Sequence, residues 1–506
     1  MAAVRAAAVR AAAVRAAAVR AAAGPQARGG AGWLLAAVSL VLGGTLLYSR
    51  LLWSDAFYDL YAGRWVAAHG IPRVNVLTVA ARGAPWIDQQ WLAHLLYYET
   101  WRAGGYPALA MLSSALVTGA FAALGRLMLR EGVPPARMFA WTLAAFAACL
   151  GNTEVRAQSF GYLFLALTIW LLAADRGCAR PRRRTWLLVP VLVAWANTYG
   201  SAPLGAGLAV AYAGYRAARG AAHRDRGAVI AYAVLGALAV GSVACCPYGA
   251  GIAAYYRRFL GGSLVARYDS QWWPPRLSNP WDCAFFSLMA ATALAVALAV
   301  RRGTRPDPLL ASLAAILLAL AFTTSKDIAW FGFGGSLLAA STLARAGGAP
   351  GPQPGTVFRR AVAGTLATGA LACAVTVART PGRTFEAGVP SRAVAVAARL
   401  ARADPAARVL ADEWTGTALL WLDPAAVGRV GFDIRLEQYP AADLRALYAF
   451  MFATGPGWDR LAGGYGIIVA SRRSCPRLAG ALLRLPGWQV AYSGPDGVVA
   501  ERRRPG

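Results

Sequence analysis

Lysine is almost absent from this chain of 506 residues: Lys326 is the only one among 51 basic residues. Acid is scarce too, with 23 Asp and Glu and a formal charge of +28. A nucleic-acid-binding protein gathers such charge on one face or one basic domain. Here the arginines sit in short clusters between apolar runs, so nucleic acid is excluded as a partner. The three histidines, His69, His94 and His223, have no ligand spacing between them, and no Cys-x-x-Cys occurs, so nothing has metal-type spacing. Of the seven cysteines, Cys149, Cys245, Cys246, Cys283 and Cys373 fall in or beside apolar runs. Cys178 lies in a basic connection and Cys475 alone in the tail, which excludes a disulfide framework. No strand precedes Gly332-Phe333-Gly334-Gly335, so this run is not a phosphate loop; inside an apolar helix its small residues favour close packing.

What is abundant is apolar sequence. Hydrophobic residues make up 58% of the chain and mean hydropathy is +0.45, more than a soluble core could absorb. The chain reads as a polytopic membrane protein. A span needs about 20 apolar residues. On that measure the pattern predicts about eleven spans, near 33–53, 106–127, 138–152, 159–174, 186–198, 202–216, 228–247, 283–300, 308–323, 328–344 and 361–378. Arginine clusters at Arg126–Arg137, Arg176–Arg184, Arg216–Arg226, Arg301–Arg305 and Arg345–Arg360 alternate with connections poorer in basic residues. By the positive-inside rule this predicts a multi-pass protein of the plasma (inner) membrane, with its N-terminus cytoplasmic and its C-terminal region outside.

Three parts follow. Residues 1–30 repeat Ala-Ala-Ala-Val-Arg, which steps each arginine about 140° around a helix and so forms no stripe; they read as a basic cytoplasmic arm of low complexity. Residues 31–378 form the membrane domain, with large outer loops at 54–105 and 248–282. Residues 385–506 form an extracytoplasmic α/β domain: helices at 391–402, 415–422, 441–453 and 476–485 alternate with strands at 408–411, 427–432, 466–470, 488–492 and 497–501.

The first apolar stretch ends in Trp53-Ser54-Asp55. Beyond it Phe57, Leu60, Tyr61, Trp65 and Ala68 recur at helical spacing, predicting an amphipathic helix at the lipid boundary. A second such helix is expected over Trp86–Tyr98, so that the two frame Asp55 and Asp59.

These residues carry a resemblance. Asp55-Ala56-Phe57-Tyr58-Asp59 before Gly63-Arg64-Trp65, then His69-Gly70-Ile71-Pro72 and Pro85-Trp86-Ile87-Asp88-Gln89-Gln90-Trp91-Leu92, resemble bacterial multi-pass proteins of the GT-C-type glycosyltransferase superfamily. Further matches are Arg156-Ala157-Gln158-Ser159-Phe160, Trp195-Ala196-Asn197-Thr198-Tyr199-Gly200, Pro247-Tyr248-Gly249, Gln271-Trp272-Trp273-Pro274-Pro275, Gly431-Phe432-Asp433-Ile434-Arg435 and Pro456-Gly457-Trp458. The likeness covers almost the whole chain after the basic arm. It implies a membrane enzyme that moves a sugar from a polyprenyl-phosphate donor to an envelope glycan, lipid or protein on the outer face, with an acid in the first outer loop. Asp55 matches that acid. Trp53 stands where relatives often carry the first acid of Asp-x-Asp, while Asp59 and Tyr199 stand where histidine is common and Gln90 where glutamate is. No cofactor is assigned; a divalent metal is the one the resemblance would bring.

Glycosyl transfer needs a base for the acceptor hydroxyl and positive charge for the departing phosphate. Asp55 is the expected base, against the simpler reading of an acid that caps a helix. Asp59, one turn on, is either an accessory acid or a solvated neighbour. Arg156 either binds the donor phosphate or pairs with Glu154 to seal a turn. Lys326 is read as a phosphate contact, against survival by chance, and Arg257, Arg258 and Arg267 as phosphate contacts or anchors to anionic lipid. Glu154, Gln158, Asp88 and Gln90 complete the candidates. Two other classes stay open: a lipid or polysaccharide transporter, and a non-catalytic membrane scaffold with an envelope-facing binding domain.

Overall fold

The computed structural model describes residues 30–260, 270–347 and 355–503. The basic arm and Arg267 lie outside them, and of Arg258 only the backbone is described. The chain is mostly helical. Among the described residues, six helices are long and apolar enough to cross a bilayer: α1 (Gly30–Tyr48), α3 (Trp91–Arg130), α5 (Gln158–Asp175), α8 (Arg226–Ala244), α10 (Pro280–Arg301) and α13 (Thr356–Arg379). The other five intervals read as spans are helical too, but shorter or less apolar: α4 (Pro135–Cys149), α6 (Leu188–Thr198), α7 (Ala202–Ala222), α11 (Pro308–Ala321) and α12 (Ile328–Arg345). α3 is broken at Gly104 and Gly105, where φ of −156° and +65° leave the helical region, so its leading part is distinct from the apolar part that follows.

The chain divides into two compact units. The first comprises Met1–Thr45, Val117–Asn152 and Pro274–Val375. Its centre is α12, buried without a break from Ile328 to Thr342. Glycines permit this: a Cβ at Gly332 would lie 2.6 Å from Cys149 Sγ on α4, and one at Gly334 would lie 2.8 Å from Leu317 Cδ1 on α11. Phe285, Leu288, Ala321, Ile328 and Phe331 close the core beside them.

The second unit comprises Leu46–Leu116, Thr153–Trp273 and Thr376–Gly506. It holds α2 (Ser54–His69), α9 (Ile252–Leu260) and the tail, with α14 (Ser391–Ala403), α15 (Glu413–Leu422), α16 (Ala441–Phe452) and α17 (Pro476–Leu482). The tail's sheet joins β1 (Val409–Ala411), β2 (Ile467–Ser471), β3 (Trp488–Ser493) and β4 (Gly497–Arg502) in the order β1-β2-β4-β3. β1 runs parallel to β2, and the other pairings are antiparallel. Every residue of β2 is buried, so both faces are covered. Leu410, Ile468, Ala470, Val498 and Ala500 face α16 and α17, while Gly497 on the opposite face meets Ala393 of α14.

Two expectations need correction. Residues 427–432 do not form a regular strand: Val430 alone bridges Val409 on one side and Thr78 of the 54–105 connection on the other. Backbone bonds extend this seam, with Val79 N donating to Val430 O (2.8 Å) and Gly428 N to Leu77 O (2.8 Å). Nor is α2 a surface helix. Ten of its sixteen residues are buried, on all sides, because tail elements cover the face expected to meet water. Tyr61 donates to Asp433 (2.8 Å), and the Arg64 guanidinium lies 4.9 Å above the Trp421 ring while bonding the Trp421 carbonyl.

Candidate functional site

α2 opens at Trp53, whose backbone is extended and whose side chain caps nothing; Leu52 N donating to Phe385 O (3.0 Å) fixes the approach. Asp55 sits in the first turn without capping it, so the simple capping reading fails. Its carboxylate meets Arg156 Nη1 at 3.6 Å. The same nitrogen meets Glu154 at 3.1 Å and donates to Gln271 Oε1 at 3.0 Å. The Arg156 and Glu154 side chains are 5% and 7% exposed, and that of Asp55 is 26% exposed. Of the three charges, Asp55 is the most exposed. Burial pulls the Arg156 guanidinium down, but the carboxylates of Glu154 and Asp55 more than offset it and hold the group above its ordinary range. Tyr97 donates to the Arg156 carbonyl (3.0 Å), tying this turn to α3.

Asp59 is not solvated. It is buried, with Oδ1 3.2 Å from His94 Nε2, and the other ring nitrogen of His94 lies 3.0 Å from Asp88 Oδ2. The result is a closed carboxylate–imidazole–carboxylate chain. Burial raises the Asp59 carboxyl to about 6, against the opposing hydrogen bond and charge of His94. Asp88 is held from behind: its Oδ1 accepts the Gln90 amide (3.2 Å), and its own amide donates to the Tyr248 hydroxyl (3.0 Å), which donates to the Pro72 carbonyl (3.0 Å). In the same way Asn197 takes the Trp91 indole N–H (2.9 Å) and donates to the Cys245 carbonyl (2.8 Å). The motifs thus converge on the packing around the two acids.

The candidates separate accordingly. Asp55, Glu154 and Arg156 form one cluster, and Asp59 and Asp88 another through His94. Gln158 is buried at the start of α5, and Gln90 supplies only its amide to Asp88. Arg257 is exposed on α9, whose Ile252 and Tyr255 are buried. Lys326 belongs to the first unit, half-buried beside Asp327, which accepts the Trp330 indole N–H (2.7 Å). Sequence reasoning missed His94, since it sought histidines spaced against one another; the six-residue step from Asp88 was the available signal.

Among the described residues no group of three or more His, Cys, Asp and Glu is arranged to hold a metal. The carboxylates near Asp55 are engaged by Arg156, an arrangement suited to a guanidinium rather than a metal ion, so no step is routed through a metal.

No family model and no curated protein matches the chain. Solved structures do. The chain is similar to the arabinofuranosyltransferase AftD from Mycobacteria, with a TM-score of 0.53 and 17% identity over 94% of this chain and 40% of that one. It therefore spans well under half of the mycobacterial protein. It is similar also to the oligosaccharyltransferase of Archaeoglobus fulgidus, in the apo form (TM-score 0.52, 11% identity, 93% of this chain and 74% of that one). The same enzyme in complex with an inhibitory peptide and a dolichol-phosphate overlays at a TM-score of 0.54 with 10% identity and the same coverage. The likeness is one of fold, shared with these solved enzymes.

Proposed function

We propose that this membrane protein transfers a glycosyl group from a polyprenyl-phosphate donor to an acceptor outside the cytoplasm, with Asp55 as the base. The reading rests on the GT-C fold together with one observation: of the charges gathered at the start of α2, Asp55 is the most exposed. The Asp55 carboxylate takes the proton of an acceptor hydroxyl, the acceptor oxygen bonds the anomeric carbon, and the bond from that carbon to the phosphate oxygen breaks. The phosphate leaves with the electron pair. Arg156 orients Asp55 through their ion pair rather than serving as a free phosphate site, since Glu154 and Gln271 already engage it. Arg257, exposed on α9, and Arg258 beside it in sequence are the proposed contacts for the donor phosphate.

The test is a donor screen on purified protein with polyprenyl-phosphate sugars. Asp55→Asn keeps size and polarity but cannot accept the proton, so transfer should fall by roughly 10² to 10⁴. Near wild-type transfer by Asp55→Asn would overturn the assignment.

A further inference from the structure

A cavity of about 400 Å³ lies in the second unit, where the entry to α2 meets the tail. Its walls come from Trp53, Ser54 and Phe57, from the turn into α15 with Glu413 and Trp414, and from Tyr448, Phe452 and Arg473 of the tail. We propose that this cavity binds one pyranose ring of the acceptor, a glycan.

Size argues first. Ligand sites run from about 300 to 1,000 Å³, so this one suits a single ring better than a lipid chain. The chemistry of the walls narrows the choice. Trp53 and Trp414 meet edge to face with centroids 5.9 Å apart, and Trp414 and Phe452 remain 44% and 46% exposed. Such rings offer flat apolar faces, to which a pyranose can present its C–H face. Around them stand groups that hydroxyls can reach. Glu413, 6% exposed, accepts the Tyr448 hydroxyl on Oε1 at 3.3 Å, and Ser474 donates to Asp412 at 3.2 Å. A face that is apolar on one side and ringed with hydroxyls on its edge is the profile of a sugar.

Rival occupants fit less well. An anion would meet the carboxylates of Asp412 and Glu413. A cation seeking an aromatic cage would find Trp53 taken, because the Arg473 guanidinium lies 5.6 Å above its ring. Asp412 itself is committed to the fold: its Oδ1 accepts the amides of Trp414 (3.1 Å) and Thr415 (2.9 Å) at the start of α15. Glu413 lines the cavity beside it, with Oε1 taking the Tyr448 hydroxyl. Ser54 lines the cavity and Asp55 follows it in the chain.

This deepens the proposed reaction and rests on it for biological sense, yet binding is measured without turnover. Full-length protein in nanodiscs is titrated with maltotriose, mannotriose and N,N′-diacetylchitobiose by saturation-transfer NMR, with choline and inorganic phosphate as separate arms. At least one sugar should bind with a Kd of about 1 mM or tighter. Trp414→Ala should weaken it at least tenfold and Glu413→Gln at least fivefold, both with an unchanged melting temperature. Because the Trp414 side chain is largely exposed, its loss leaves the core intact. Asp55→Asn should leave sugar binding unchanged, so lost transfer with retained binding speaks to the reaction alone. Binding of no sugar, binding indifferent to Trp414→Ala, or binding of choline or phosphate instead would overturn the proposal.

Discussion

Gly63 of α2 lies against the backbone carbonyl of His94: a Cβ at position 63 would collide with that oxygen and come within 2.7 Å of the Tyr98 Cβ. Position 63 is one turn beyond Asp59, on the same helical face. The close crossing is therefore what brings the Asp59 carboxylate to the His94 ring. Gly63→Ala should force the helices apart, at a cost of 1–3 kcal/mol or more for overpacking, and lower the melting temperature. A variant as stable as wild type would show that the crossing does not set the Asp59–His94 contact.

Asp59 supplies a pH signature. Its carboxyl is raised from 3.8 to about 6, first by burial, so folding favours its protonated form. That stabilisation is complete below pH 3.8 and is lost as pH rises through about 6. At 1.36 kcal/mol per pH unit, its upper limit is on the order of 3 kcal/mol. Asp59→Asn removes the titration. The melting temperature of wild type relative to Asp59→Asn should fall between pH 4 and pH 7, and a flat difference would contradict the buried, titrating acid.

Arg156 balances two carboxylates. Arg156→Gln leaves Glu154 buried without its guanidinium, which for a broken buried pair costs roughly 3–5 kcal/mol. Adding Glu154→Gln should restore more than half of the lost stability in a denaturation double-mutant cycle. If Arg156→Gln alone is neutral, Arg156 is free to serve another partner and the positioning role fails.

The tail is bonded to the 54–105 connection. Asp433 pairs with Arg435 (2.6 Å) and accepts from Tyr61, while the Arg435 guanidinium lies 4.4 Å above the Trp86 ring and donates to Asn75 (3.3 Å). Residues 383–503 expressed alone would expose that charge network and lose Ala81 from the core. The fragment should lack a cooperative thermal transition, and a sharp one would show that the tail stands alone.

A reporter active only outside the cytoplasm, fused after Gly506, tests orientation. The alternation of arginine clusters predicts activity; an inserted but inactive fusion would invert the assignment.

Much of this was legible in local sequence. Apolar runs marked the helices, and alternation marked the four strands of the tail's sheet and the helices between them, since periods of 3.6 and 2 are written residue by residue. The helical step from Asp55 to Asp59 was legible too, but not their different fates. Asp59 is buried because Gly63 admits α3, and Tyr61 is covered by Asp433; both depend on partners distant in sequence. The strand expected at 427–432 failed for the same reason. Val430 has β-type sequence, yet its two partners allow one bridge on each side rather than a ladder. The cavity beside Trp414 likewise draws its walls from five separate stretches.

The Val430 seam also bears on how the chain is made. Tyr61 and Asp433 are 372 residues apart. At synthesis rates of about 5–20 residues per second, the helix carrying Asp55 waits tens of seconds for the groups that cover it. Until then Tyr61 and Thr78 present unfinished polar surface. A chain cut short before Val430 never closes that seam, so premature termination leaves the 54–105 connection uncovered along it.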